Sequence, residues 1–332
     1  MSQELSIKAR CIAGPKERRL HIKNAIAEAR KNGWKELVPS PPHGGEISIV
    51  ASGPSVKSQI KKIKKDKAKG IPLFAVKGAQ QWLLDNGIVP DFAIAVDPQT
   101  HIIECFKTVH PDVIYMLGSQ VHPWTFQYIH DKGGKIVLWH LYSKTNTDLL
   151  ANKLQVGGGS TSGLRAITVA YLMGFTDFKL YGFDSCLLNK DSKLRKITGD
   201  RYGDKPNERI LQLDIAGEKF YADPAFAAQA DEFQKIVRTM RDPRRGMAKF
   251  RAYGKGLIPA ICRDQKKQGN PQFWGVPGES NNDVPVKGNG QVWQYVPANI
   301  RRALENPAND VPRGGGPKVQ ASPHNLQVSY GD

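Results

Sequence analysis

Acidic side chains are scarce in this sequence. Over 332 residues, 31 Asp and Glu stand against 48 Lys and Arg, a formal net charge of +17 at pH 7. A field of that sign favours polyanions: nucleic acid, nucleotide phosphates or an acidic partner surface. Cysteine is scarce too. Cys11, Cys105, Cys186 and Cys262 are scattered, with no CxxC pair and no metal-ligand spacing, which points to reduced thiols in a cytoplasmic setting. No apolar run is long enough to span a bilayer, so no membrane partner is expected. The first residues, MSQELSIK, lack the apolar core and the small-residue cleavage site of a secretory signal. Nucleic-acid modules with sequence signatures are also missing: there is no zinc finger, RNA-recognition signature or basic zipper.

What is present begins with charge. Residues 61–70, KKIKKDKAKG, hold six lysines against one aspartate. Residues 238–255 carry Arg238, Arg241, Arg244, Arg245, Lys249, Arg251 and Lys255 against Asp242. Neither run has the interleaved aromatics of a platform for single strands. Each reads either as a solvated basic face or as a contact for a polyanionic acceptor or nucleic acid.

Three regions separate along the chain. In residues 1–43, Ile22, Ala25, Ile26, Ala29 and Trp34 fall on one helical face before the Pro/Gly-rich break at 39–45. Residues 44–262 alternate short apolar runs with helical stretches, the pattern of a parallel sheet. Strands are expected at 46–51, 72–76, 92–96, 113–117, 136–139, 178–181 and 250–253. Residues 263–332 turn rich in Gly, Pro, Asn and Gln, read as a loosely ordered tail with one short helix over 297–305. The expected fold class is α/β: a Rossmann-like, mostly parallel sheet flanked by helices, with an N-terminal helical segment and a C-terminal tail.

Ligands of open α/β sheets bind beyond the carboxyl ends of the strands. Here those ends read Ser52-Gly53-Pro54-Ser55, Lys77-Gly78, Asp97-Pro98-Gln99, Gly118-Ser119-Gln120, His140 and Asp184-Ser185. In the first, Gly53 permits close backbone approach, Pro54 fixes the turn and Ser55 can cap a helix. In Gly157-Gly-Gly-Ser-Thr-Ser-Gly163, the first three glycines and three hydroxyls open a helix and suit phosphate oxygens. The loop lacks the Walker lysine and does not match GxGxxG, which disfavours both a P-loop ATPase and a nicotinamide dehydrogenase.

IVASGPSV (49–56), LFAVKGAQQWLLDNGIVPDFAIAVDP (73–98) and GGGSTSGLRAITVAYLMGFTDFKLYGFD (157–184) together resemble the 6-hydroxymethylpterin diphosphokinase MptE-like family. That family includes archaeal pterin enzymes, bacterial motility accessory factors linked to flagellin glycosylation, and phage proteins. The stretch is also similar to bacterial sialyltransferases, whose first strand ends in a comparable Gly-x-Gly-Pro-Ser loop. The resemblance covers residues 46–185. It implies a nucleotide-activated donor, a nucleotide-sugar or ATP. Ser52, Gly53, Pro54, Ser55 and Gly78 would lie by the donor, and Gly159, Ser160 and Thr161 would take phosphate or sugar oxygens. Asp97 and Asp184 would act in the cleft, and could supply the carboxylates for Mg²⁺.

The sequence departs from the sialyltransferase pattern in one respect: no histidine occurs between His140 and His324. A general base, if the reaction uses one, comes from elsewhere, and the candidates are His122, His140 and the stretch holding Asp200, Tyr202 and Asp204. Three readings follow. The first is a transferase, foremost a glycosyltransferase-like protein of phage or bacterial origin. The second is an MptE-like diphosphokinase using ATP. The third is a non-catalytic, nucleic-acid-associated protein retaining the fold.

Overall fold

The computed structural model describes residues 13–187, 210–242 and 246–273. The expected tail at 263–332 begins in ordered structure, because residues 263–267 end a helix (Leu257–Lys267) and Gln272 and Phe273 are buried. Its remainder from 274, with the helix at 297–305 and His324, and Asp200, Tyr202 and Asp204 lie outside the described residues. Among those described, no helix is long and apolar enough to cross a membrane.

The chain opens with helix α1 (Pro15–Asn32), ended by Gly33 in the left-handed region at φ 67°. Strands β1 (Lys35–Glu36) and β2 (Glu46–Val50) follow. Next come a 3₁₀ turn (Pro54–Gln59), α2 (Ile60–Ala68), β3 (Leu73–Val76), α3 (Ala79–Asp85) and β4 (Phe92–Ala95). A second 3₁₀ segment (Thr100–Phe106) leads to β5 (Ile114–Gly118), α4 (Pro123–Asp131), β6 (Lys135–Leu141) and β7 (Gln155–Val156). Then come α5 (Ser162–Leu172), β8 (Asp177–Tyr181), a β9–β10 hairpin (Leu211–Ile215, Glu218–Ala222) and α6 (Pro224–Thr239). The short pair β11 (Arg241–Asp242) and β12 (Gly246–Met247), then β13 (Lys249–Tyr253) and α7 (Leu257–Lys267), complete the described elements.

The main sheet runs β1-β6-β5-β4-β3-β2-β8-β13, with β7 added beside β6, and its pairings are parallel. All seven expected strands are in it. Strands β3, β4 and β5 are buried along their whole length, as strands covered on both faces must be. Alternate side chains serve two opposite cores. Ile47, Ile49, Phe74, Ile94 and Met116 pack with Leu164, Ile167, Phe233 and Ile258 from α5, α6 and α7. On the other face, Ala93, Tyr115 and Leu117 meet α1 and α4, while Val50, Ala75 and Tyr181 meet α2 and α3.

Two sequence expectations shift. The N-terminal helical face forms as read, with Ile22, Ala25 and Ala29 buried. However, Lys35–Glu36, which carry no apolar signal, join the sheet beside β6. The strand expected to stop at Trp139 continues to Leu141, so His140 lies inside a strand and not in the loop after it. Its register partner is Gln155 of β7.

Candidate functional site

The chain leaves β2 toward β3 on one side and returns through α5 to β8 on the other. The switch in strand order therefore falls between β2 and β8, and the crevice at their carboxyl ends is where such a sheet takes a ligand. Helix α5 runs into β8 from the opposite direction. Its N-terminus, with the Gly157–Thr161 loop, accordingly sits at this same edge.

The β2 turn and the β8 end are fastened together. The Ser55 backbone N–H donates to Asp184 Oδ2 at 2.7 Å, and the Ser55 hydroxyl donates to Oδ1 at 2.5 Å. The Gly53 N–H donates to the Gly182 carbonyl at 2.9 Å. A methyl group on Gly53 would meet that carbonyl and stand 2.7 Å from Asp184 Cγ. From the β13 end, Gly256 presses on the Asp184 backbone, where an added Cβ would lie 2.6 Å from Cα. Gly254, at φ +106°, packs on the Ser55 side chain. Asp184 is 3% exposed. Burial pushes its carboxyl up to about 6, against the pull of the two Ser55 hydrogen bonds. Asp184 thus positions the turn, and both of its oxygens are engaged.

The second loop is built to turn sharply. Gly158 and Gly159 adopt φ of 97° and 70°, the region glycine enters without steric cost. A Cβ on Gly159 would stand 2.6 Å from that of Leu164. Thr161 caps α5, its hydroxyl accepting from the Leu164 N–H at 3.3 Å. Ser160 gives both its N–H and its hydroxyl to one oxygen of Glu232, at 2.9 and 2.8 Å. Arg165, in the first turn of α5, donates to the Val156 carbonyl at 2.7 Å. Burial lowers its pKa to about 10, with Glu232 opposing. The two loops are neighbours, because an added Cβ on Gly163 would lie 3.3 Å from the Phe183 ring, next to Asp184. Helix α6 reaches both loops: Gln229 meets the Ser185 hydroxyl at 3.3 Å, one turn before Glu232.

Asp97 lies farther along the edge. Its Oδ2 is 2.9 Å from Lys77 Nζ, and its Oδ1 accepts from the Gln99 N–H at 3.2 Å. Burial raises the Asp97 carboxyl, but the Lys77 ammonium and its hydrogen bond, the Gln99 N–H and His101 together hold it below the usual range. Lys77 takes a positive φ of 50°, and Gly78 begins α3 at an ordinary φ of −61°.

Asp97 and Asp184, expected to supply one pair of carboxylates for Mg²⁺, follow strands that are not neighbours. Strands β4 and β8 are three steps apart in the sheet, roughly 14 Å at the usual spacing, and each carboxylate is held by partners of its own. Among the described residues no group of three or more His, Cys, Asp and Glu is placed to hold a metal. The histidines are also remote from the switch. His122 caps α4, accepting from the Trp124 N–H at 3.2 Å with its ring edge-on to His21. Burial and His21 lower its pKa. His140 is 2% exposed and lies 3.4 Å from Glu36, itself paired to Lys153 at 2.7 Å. Burial keeps it neutral more strongly than Glu36 charges it. Strands β5 and β6 stand three and four places from β2.

Sequence reasoning gave no role to Lys77, Arg165 or Glu232. Lys77 was visible only as a strand-end residue. Arg165 was one cation in an otherwise apolar helix. Glu232 is 72 residues from Ser160, and no local pattern links them.

The comparisons with known proteins agree with this architecture. A family model described as 6-hydroxymethylpterin diphosphokinase MptE-like matches residues 21–190. The solved structure of the MAf glycosyltransferase from Magnetospirillum magneticum AMB-1 matches at a TM-score of 0.54 and 16% identity, covering 80% of this chain and 43% of that one. At that identity the likeness is one of fold, and this chain spans less than half the length of that protein. No curated protein matches.

Proposed function

The chain belongs to the 6-hydroxymethylpterin diphosphokinase MptE-like family, and from that premise we propose that it is a transferase using a nucleotide-activated donor, foremost a glycosyltransferase. One observation carries the reading: the two Gly-containing turns, far apart in sequence, meet at the crevice between β2 and β8. Donor phosphates would lie on the Gly159–Thr161 loop at the start of α5, where backbone N–H groups and the helix dipole favour anions. The Ser52–Ser55 turn forms the neighbouring wall. Its Gly53 and Ser55 N–H groups are already taken by Gly182 and Asp184, so it shapes the crevice more than it donates to the ligand. Asp97, kept ionised by Lys77, would accept a hydrogen bond from the acceptor hydroxyl. In the transfer, the bond from the sugar to the donor phosphate breaks, the acceptor oxygen bonds to the sugar, and the acceptor proton leaves to solvent or a base.

The family description supports a second reading, pyrophosphoryl transfer from ATP. The released nucleotide separates the two. A panel of nucleotide-sugars, and ATP with and without Mg²⁺, would be incubated with the protein and analysed by chromatography. Nucleotide freed from a nucleotide-sugar, with the sugar moved to water or an acceptor, is the expected result. AMP released from ATP only with Mg²⁺ would replace it with the diphosphokinase reading. No turnover of any donor by folded protein, across a broad acceptor set, would count against both.

A further inference from the structure

Among the described residues, a densely basic surface runs along α2 and the 3₁₀ segment before it. Lys61, Lys64 and Lys65 occupy positions i, i+3 and i+4 of α2, and Lys57 stands one turn earlier on the 3₁₀ segment. All four are exposed. The opposite side of the same helix supplies Ile63 to the core and buries Asp66 beside Ser48, Tyr181 and Lys179. Asp66 is the sole acidic residue between 54 and 69, and its carboxylate is spent inside. None of the four lysines is in an ion pair among the described residues. Behind them, Lys62 stacks over the Tyr253 ring at 4.7 Å, and Arg251 adds its charge from β13. Like charges at this spacing weaken a helix, so the stripe is maintained against a local cost.

We propose that this stripe docks the phosphate backbone of duplex nucleic acid. Two features select that partner. A protein interface needs aromatic or aliphatic anchors at its centre and is poor in lysine. The large exposed apolar residues of this chain, such as Leu20, Trp124 and Tyr142, lie elsewhere, and none is on residues 54–69. Single-stranded nucleic acid is held by bases stacked on exposed aromatic rings, whereas the one ring beneath the stripe, Tyr253, is buried against Tyr181. Lysines alone, spaced roughly 6 Å apart per helical turn, read phosphates and not bases. Binding is therefore independent of sequence and steeply dependent on salt.

The test uses the full chain and a labelled duplex of random sequence, followed by fluorescence anisotropy across about 50 to 200 mM NaCl. Two quadruple variants are compared: K57Q/K61Q/K64Q/K65Q on the stripe, and K16Q/K23Q/K107Q/K144Q at exposed lysines on other elements. Both lose four charges. The stripe variant is expected to lose about 3 to 4 from the slope of log affinity against log salt, with at least a tenfold loss of affinity. It should keep or raise its melting temperature, since repulsion is relieved. The other variant should keep most of the slope. Equal losses in the two variants would show a diffuse effect of net charge and overturn the proposal. So would an unchanged stripe variant, tighter binding of single strands than duplex, or binding to anionic lipid vesicles with none to duplex.

Discussion

Two serines on one sheet edge are each held by a carboxylate through N–H and hydroxyl together, yet the two contacts are of different kinds. Asp184 grips Ser55 from inside the fold at 3% exposure, with both oxygens used. Glu232 grips Ser160 from a helix on the surface, with one oxygen. The first is wedged by Gly53, Gly254 and Gly256 on three sides, leaving no room for another anion. The second is partly exposed, and solvent can exchange for it. Identical donors, differently buried, make one contact a fixture and the other, under the proposed function, a placeholder for a donor phosphate.

The largest effect is expected at the glycines that wedge the buried contact. Gly256→Ala would drive a methyl into the Asp184 backbone, which cannot swing aside as a side chain can. We expect a loss of about 3 kcal/mol, the upper end for overpacking, read from urea denaturation. A similarly placed Gly163→Ala, with only the Phe183 ring at 3.3 Å, should cost well under half of that.

Next in size is the pH dependence of the fixture. Asp184 ionises near 3.8 in an ordinary setting and near 6 in the fold. Between those values the folded chain binds a proton that the unfolded chain has released. The contribution of this carboxyl is therefore complete below about pH 4 and lost as pH rises through 6, about 2 to 3 kcal/mol in all. Asp184→Asn keeps an acceptor for the Ser55 N–H and removes the titration. Stability measured from pH 4 to 7 should fall less steeply in this variant than in the parent. An unchanged slope would mean that Asp184 does not titrate in this window.

The smallest effect on stability is expected at the placeholder. Glu232→Ala removes a partly exposed contact and should shift stability by about 1 kcal/mol or less. Its signature is elsewhere: inorganic pyrophosphate should bind several-fold more tightly once the competing carboxylate is gone. Calorimetric titration showing weaker binding in Glu232→Ala would instead make Glu232 part of the binding wall.

The legibility of this molecule in its sequence follows the same division between local and distant. Strands such as LFAV and FAIA stand out because both faces are buried and every residue is apolar. Gly158 and Gly159 could be read as turn formers because only glycine takes their φ cheaply. The family motifs 49–56, 73–98 and 157–184 lie within the matched segment. By contrast, β1 and β7 are two residues each and owe their pairing to β6, not to any propensity of Lys-Glu or Gln-Val. The apolar run ends at Trp139 and so hides that His140 lies within its strand, which pairing with β7 carries to Leu141. The separation of Asp97 from Asp184 depends on strand order, which spacing along the chain does not encode. The grip of Glu232 on Ser160 depends on how α6 lies against α5, a tertiary fact with no local trace.

The most direct test of the account is a thermal-shift titration of nucleoside mono- and diphosphates, nucleotide-sugars and ATP against the parent chain and Gly159→Ala. The substitution forces a side chain onto a φ of +70° and against Leu164, distorting the loop assigned to the phosphates while leaving the Ser55–Asp184 clamp alone. Ligand present at about a hundred times its dissociation constant stabilises the folded state by about 2.7 kcal/mol, readily seen as a rise in melting temperature. The expected result is such a rise for one class of nucleotide in the parent and its loss in Gly159→Ala. A folded parent that responds to no nucleotide, or a variant that responds as fully as the parent, would contradict it.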